Sequence, residues 1–159
     1  MLSATVSGES LAQYEKAMAA MPVLITFIPM LMGTSGNSGS QSSTMVIRGL
    51  AVGEIQFKDF FRVVFKEIRV ALIVGVLLAI VNGIRVYLMY DQDLTLAIAI
   101  GITMIAIVCM AKCVGCTLPL LAKKIGLDPA LMAAPLISTI MDTCTILMYF
   151  AIITALYRM

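Results

Sequence analysis

Hydrophobic residues fall into four long stretches of this chain, and only the first is interrupted by a block of polar side chains. That stretch runs apolar from Ala17 to Met32, turns polar from Gly33 to Thr44, and resumes with Met45-Val46-Ile47. A bilayer core about 30 Å thick takes about 20 helical residues. The pattern therefore predicts spans over about 17–47, 70–90, 94–117 and 130–157. Residues of about 48–69 alternate charge with Phe57, Phe60, Phe61 and Phe65 at helical spacing, which suits an amphipathic connection lying at a membrane surface. Asp91-Gln92-Asp93 makes a short acidic turn, and the third span is expected to stop near Pro119. Ser10-Leu11-Ala12-Gln13 fits a helix start, and Pro22 and Pro29 are expected to bend the first span. The expected fold is an all-α integral membrane bundle, one domain over residues 1–159.

The polar block is the unusual part. Lipid offers no partner to hydroxyls and amides, so such a block is stable only against protein or around water. On a helix, Gly33, Asn37, Ser40 and Thr44 recur at intervals of four, three and four and share one face. Gly33 and Gly36 allow a second backbone or a ligand to come close. Small residues alone suit helix packing. An Asn, a Gln and several Ser and Thr in one segment go beyond what packing needs, and point to a wet, oxygen-lined face.

Composition supports membrane residence: 61% of the 159 residues are hydrophobic, 13% are charged, and the mean hydropathy is +1.03. Arg48, Lys58, Arg62, Lys66, Arg69, Lys112, Lys123 and Lys124 gather on one side of the predicted spans. Lys16, Arg85 and Arg158 fall on the other. Basic loops stay cytoplasmic, so both ends of the chain are expected outside, an arrangement that a missing preceding span would explain. Cys109, Cys113, Cys116 and Cys144 lie in or beside apolar runs and read as packing residues rather than a disulfide framework. With no histidine in the chain, no Ser/His or Cys/His catalytic pair is available, so no enzyme is expected.

Of nine acidic residues only Asp142 falls near the middle of a span. An ionised Asp there costs about 2.5–3.5 kcal/mol on insertion scales, which marks it as a functional candidate. Ser138 and Thr139 lie one turn before it and Thr145 one turn after. No basic residue is expected at its depth, so a bound cation is the natural counter-charge. Oxygen ligands without thiolate or imidazole favour a hard ion such as Mg²⁺. One carboxylate per chain is sparse for a divalent ion, and a two-fold axis would bring two together.

At these positions the chain resembles the MgtE family of magnesium channels and transporters, related to solute carrier family 41. The matching segments are Pro29-Met30-Leu31-Met32-Gly33-Thr34-Ser35-Gly36-Asn37-Ser38-Gly39-Ser40-Gln41-Ser42 and Val46-Ile47-Arg48-Gly49-Leu50. Further on come Leu118-Pro119-Leu120-Leu121-Ala122-Lys123-Lys124, Gly126-Leu127-Asp128-Pro129-Ala130 and Pro135-Leu136-Ile137-Ser138-Thr139-Ile140-Met141-Asp142. The resemblance implies a homodimer in a multi-pass cell membrane, five helices per subunit, and a pore along the dimer axis. It implies that Asp142 holds a largely hydrated Mg²⁺, that Asn37, Ser40, Thr44, Ser138, Gly33 and Gly36 belong to the ion path, and that Glu67 stands at the cytoplasmic mouth. Relatives often carry Asn where this chain has Ser40 and Ala134, so water or backbone oxygen is expected to take over there. The family's first helix and its cytosolic regulatory domains are expected to be missing.

The function expected is a Mg²⁺ channel or transporter acting down the ion's own gradient. A proton- or sodium-coupled carrier using Asp142, and a non-conducting assembly subunit held by its glycine-rich face, are the alternatives.

Overall fold

A computed structural model describes residues 22–90, 93–132 and 134–157. Four long helices account for most of them: α1, Val23–Ala51; α2, Phe60–Met89; α3, Leu94–Lys124; and α4, Ala134–Tyr157. Short 3-10 turns at Phe57–Asp59 and Pro129–Met132 lead into α2 and α4, and there is no strand among the described residues. The helix start expected at Ser10, the membrane entry at Ala17, and Lys16, Asp91, Gln92 and Arg158 lie outside the described residues.

Local chemistry sets the helix ends. Asp93 caps α3 by accepting a hydrogen bond from the Leu96 amide at 3.0 Å. At its other end Gly126 takes φ +80°, and the amides of Gly126 and Leu127 bond back to the carbonyls of Lys123 and Ala122. Lys123 and Lys124 in that last turn complement the negative end of the helix dipole.

α3 is the central helix. It carries buried residues along its whole length from Leu96 to Ala122, whereas α2 buries only Glu67, Ala71, Gly75 and Val86. α2 and α3 form an antiparallel pair on a stripe of small residues. A Cβ on Gly75 would lie 3.1 Å from the Ile105 backbone, Gly83 faces the Ala97 carbonyl, and Gly101 faces Ala79. α1 and α4 pack on the other side of α3, also antiparallel to each other, as the Tyr149 hydroxyl's bond to the Leu24 carbonyl and the approach of Gly36 to Ser138 show. The main core joins Leu24, Phe27 and Leu31 of α1 to Ile100, Met104 and Ile107 of α3 and Ile146, Tyr149 and Phe150 of α4. Leu94–Lys124 and Pro135–Tyr157 are long and apolar enough to cross a membrane. The outer face of α2 exposes Leu72, Ile73, Leu77, Val81 and Leu88, a surface that water would not tolerate at this extent.

Four features differ from those expected. Residues 48–69 are not one surface segment. They comprise the last turn of α1, a loop turning at Gly53 (φ +77°), a 3-10 turn and the first turns of α2, which continues unbroken because no proline or glycine intervenes before Gly75. Only part of the aromatic set is outward: Phe61 and Phe65 are exposed, while Phe57 and Phe60 pack on Val46, Cys116 and Leu120. Pro119 lies inside α3, not at its end. The loss of one backbone donor, which would have bonded to the Gly115 carbonyl, does not stop a helix whose flanks are held by packing. Pro22 sits at the N-cap of α1, leaving Pro29 as the proline inside that helix among the described residues.

Gly115 makes the tightest helix contact, since a Cβ there would overlap the carbonyl of Gly39. Gly115→Ala should destabilise the fold by about 1–3 kcal/mol. Gly33→Ala, which meets nothing within 4 Å, should leave stability within about 0.5 kcal/mol. Thermal unfolding of both variants in detergent checks this; equal melting temperatures would mean that the α1–α3 contact is looser than described.

Candidate functional site

The polar block of α1 is helical throughout and divides between two faces. Ser35, Gly36, Ser38, Gly39, Ser42 and Ser43 point into the bundle and are buried. Gly33, Asn37, Gln41 and Thr44 are exposed, and Ser40 is half-buried on the same side. The intervals are those of one helical stripe, continuing from Pro29 to Arg48.

The inner hydroxyls are matched by the other helices. Ser35 Oγ lies 2.6 Å from Thr145 Oγ1 on α4 and also donates to the Met32 carbonyl at 3.1 Å. Gly36 lies against Ser138, and a Cβ on Gly39 would come within 2.9 Å of Ile137 and 3.2 Å of the Ala111 carbonyl. Gly36 and Gly39 thus fill the α1–α3–α4 junction, so a large side chain there would push helices apart within one subunit. On the outer face Thr44 donates to the Ser40 carbonyl at 2.9 Å and Thr34 to the Met30 carbonyl at 2.8 Å, so their hydroxyl oxygens keep free lone pairs.

Asp142 is half-buried on α4 and makes no hydrogen bond or ion pair among the described residues. Met141 beside it approaches Gly39 and Thr145 one turn on meets Ser35, so Asp142 lies at the depth of the polar block of α1. Nothing stands within 4 Å of where a Gly33 side chain would begin, so the exposed stripe is open at that turn. Its neighbours Ser138 and Thr139 are half-buried, and Thr139 donates to the Pro135 carbonyl at 3.0 Å. The structure sets Ser138, one turn before Asp142, against Gly36 and strings Gly33, Asn37, Ser40 and Thr44 along the outer face of α1. Gly36 is turned inward from that face. No three His, Cys, Asp or Glu side chains among the described residues converge as a metal cage.

Glu67 lies elsewhere. It is 7% exposed, and its Oε2 accepts from Ser42 Oγ at 2.5 Å and pairs with Lys112 Nζ at 3.4 Å. The ammonium of Lys112 also donates to Ser42 Oγ at 3.2 Å. Glu67 forms part of the lining of a cavity of about 740 Å³ between the end of α1 and the start of α2, together with Arg48, Glu54, Asp59, Arg62 and Lys66. A place near the end of a span groups Lys112 with the cytoplasmic loop cations, but the residue is buried and bonded to two helices. One signal of this is present in the sequence: Lys112 stands inside the run Cys109-Met110-Ala111-Lys112-Cys113-Val114, where a solvated lysine has no room. The four cysteines are free, and Cys116 Sγ lies 3.2 Å from the Cys113 carbonyl.

Comparison with known proteins follows the same residues. A family model described as a divalent cation transporter, MgtE, matches residues 28–152, from just before the polar block of α1 to the last turns of α4. The chain belongs to the MgtE family. It is 35% identical over 152 residues to the magnesium transporter MgtE of Thermus thermophilus, covering 96% of this chain and 33% of that protein. It is 31% identical over 150 residues to the magnesium transporter MgtE of Bacillus subtilis, covering 94% and 33%. Against the magnesium transporter MgtE of Enterococcus faecalis it is 30% identical over 151 residues, covering 93% and 32%. The chain spans about a third of the length of these curated relatives. MgtE membership and the long apolar helices together make this a membrane protein of a transporter family.

The Ser35–Thr145 bond is a side-chain link between the polar block of α1 and α4. Thr145→Val keeps the shape and leaves Ser35 its bond to Met32, so it should cost about 1 kcal/mol. Chemical or thermal denaturation in detergent measures it; no loss would show that the hydroxyl pair adds nothing to the α1–α4 seam.

Proposed function

We propose that the chain is the ion-conducting part of a magnesium transport protein. In this reading Mg²⁺ moves as a largely hydrated ion along the outer polar stripe of α1, past Asp142, in a homodimer whose axis brings two such stripes face to face. The observation that carries it is Asp142: a half-buried carboxylate without a partner among the described residues, on a helix packed against the one whose outer face carries Gly33, Asn37, Ser40 and Thr44. The magnesium transporter names of the relatives point the same way.

The chemistry fits a hydrated hard cation. Mg²⁺ gives up water reluctantly and takes carboxylate oxygen. Hydroxyl, amide and backbone oxygens suit the outer water shell without stripping it. Two facing carboxylates supply the charge that one chain lacks, and the narrowness of selectivity follows from how tightly those oxygens order the water. Gly36 serves the path indirectly, by seating α1 against Ser138. All four helices cross the bilayer, with the loops that hold Arg48, Lys58, Arg62, Lys123 and Lys124 on the cytoplasmic side. Glu67 is engaged by Lys112 and Ser42, so the central ion site is assigned to Asp142.

A potential of 100 mV, inside negative, is worth about 2.3 kcal/mol per charge and about 4.6 kcal/mol for a divalent ion, or roughly a thousandfold accumulation. Inward movement then needs no coupled ion. Asp142 works ionised, so acidification lowers flux by protonating it.

Reconstituted into liposomes, the protein should show Mg²⁺ uptake that Asp142→Asn abolishes while helix content and size-exclusion profile stay unchanged. Undiminished uptake in that variant would remove Asp142 from the path. A second arm sets equal Mg²⁺ on both sides, zero potential and a proton gradient. Net uptake there would replace the channel by a proton-coupled carrier.

A further inference from the structure

The buried Glu67–Ser42–Lys112 group lies outside the ion site described above, and its position suggests an electrostatic task. Ser42 belongs to the inner face of α1, directly beside exposed Gln41 and two residues before exposed Thr44. Lys112 donates to Ser42 at 3.2 Å and is 6% exposed, so its ammonium stands immediately behind the polar helix and out of reach of bulk water. A helix with its side chains is about 10 Å across, which puts that positive charge about 10 Å from the outer stripe. Arg48, Arg62 and Lys66 also lie near the cytoplasmic end, but they are exposed and salt screens them. Lys112 is not screened in that way.

We propose that Glu67 is the counter-ion that cancels the repulsion of Lys112 toward a divalent cation on the outer stripe of α1. The proposal rests on the reading of that stripe as the ion path. Hydrogen-bond direction supports the assignment: Lys112 donates to Ser42 and Glu67, Ser42 donates to Glu67, and the carboxylate accepts both. The ionised pair, held at 3.4 Å, acts on the stripe as a short dipole, whereas Lys112 alone acts as a full charge. At an effective dielectric of about 20, a full charge about 10 Å away lowers the occupancy of a monovalent cation about tenfold and of a divalent one about a hundredfold. Glu67 is thus a positioning and charge-balancing residue that never touches the ion.

A simple clamp between helices predicts a different pattern from a charge balance. Losing either partner of a clamp would harm transport equally. Charge balance is asymmetric: Glu67→Gln leaves the lysine charge, which repels the cation, while Lys112→Met leaves a carboxylate, which attracts it. We would measure Mg²⁺ uptake in liposomes per correctly sized protein for E67Q, K112M and E67Q/K112M. E67Q should fall about a hundredfold, K112M should not fall more than about threefold below wild type, and the double variant should recover to within about tenfold of wild type. Equal losses in the two single variants, or no loss in E67Q, would overturn the proposal. If E67Q does not fold, K112M and the double variant decide it: both must retain uptake, and a loss in either sinks it. Absence of uptake in the wild type would instead defeat the transport reading, and this one with it.

Discussion

The backbone contact between Gly39 and Gly115 sets the position of everything that matters in this bundle. Helices in lipid gain nothing from hiding apolar surface, so they rely on close packing and on bonds between polar groups. With no side chain on either glycine, α1 and α3 approach until the Gly39 carbonyl fills the place of a Gly115 side chain. One helical turn further along, the same approach brings Ser42 within 3.2 Å of Lys112. On the α4 side, the seat of Gly39 against Ile137 continues through Gly36 and Ser138 to the Ser35–Thr145 bond. The inner face of α1 is thereby used up, and its remaining polar groups must look outward.

That division explains how one helix can be polar on both sides at membrane depth. Two inner hydroxyls are matched across the bundle, Ser35 with Thr145 and Ser42 with Glu67 and Lys112, which offsets the cost of burying them. Thr34 and Thr44 on the outer side bond only to carbonyls of their own helix, which leaves hydroxyl lone pairs open. Asp142 likewise has no partner on another helix among the described residues. Had the carboxylate been paired with a lysine, as Glu67 is with Lys112, the same segment would read as an internal seam.

The helical nature of the chain, the outer stripe and the isolation of Asp142 are legible in the sequence, because each rests on spacing and on depth within an apolar run. Inner and outer serines are not separable there, since Ser is small enough to pack and polar enough to line water. Gly36 keeps company with the outer stripe and faces Ser138 instead. Lys112 is hidden by a rule that works for loops: basic residues near span ends are normally solvated. Its partner lies 45 residues away on another helix, a pairing that no local pattern encodes. Pro119 misleads for the opposite reason, because a local rule about helix ends yields where tertiary packing holds both flanks.

The double-sided polarity of α1 also bears on how the protein is made. Ser35 and Thr44 can bond to carbonyls of their own helix, but bare hydrocarbon offers nothing to the side-chain amides of Asn37 and Gln41. α3 and α2 face no such difficulty: they present aliphatic surface and meet through small residues. During synthesis α1 nevertheless emerges before both. Its Ser35 and Ser42 gain their partners on other helices only once α2 supplies Glu67, α3 supplies Lys112 and the Gly115 groove, and α4 supplies Thr145. The first described helix is thus the one whose polar contacts are completed last.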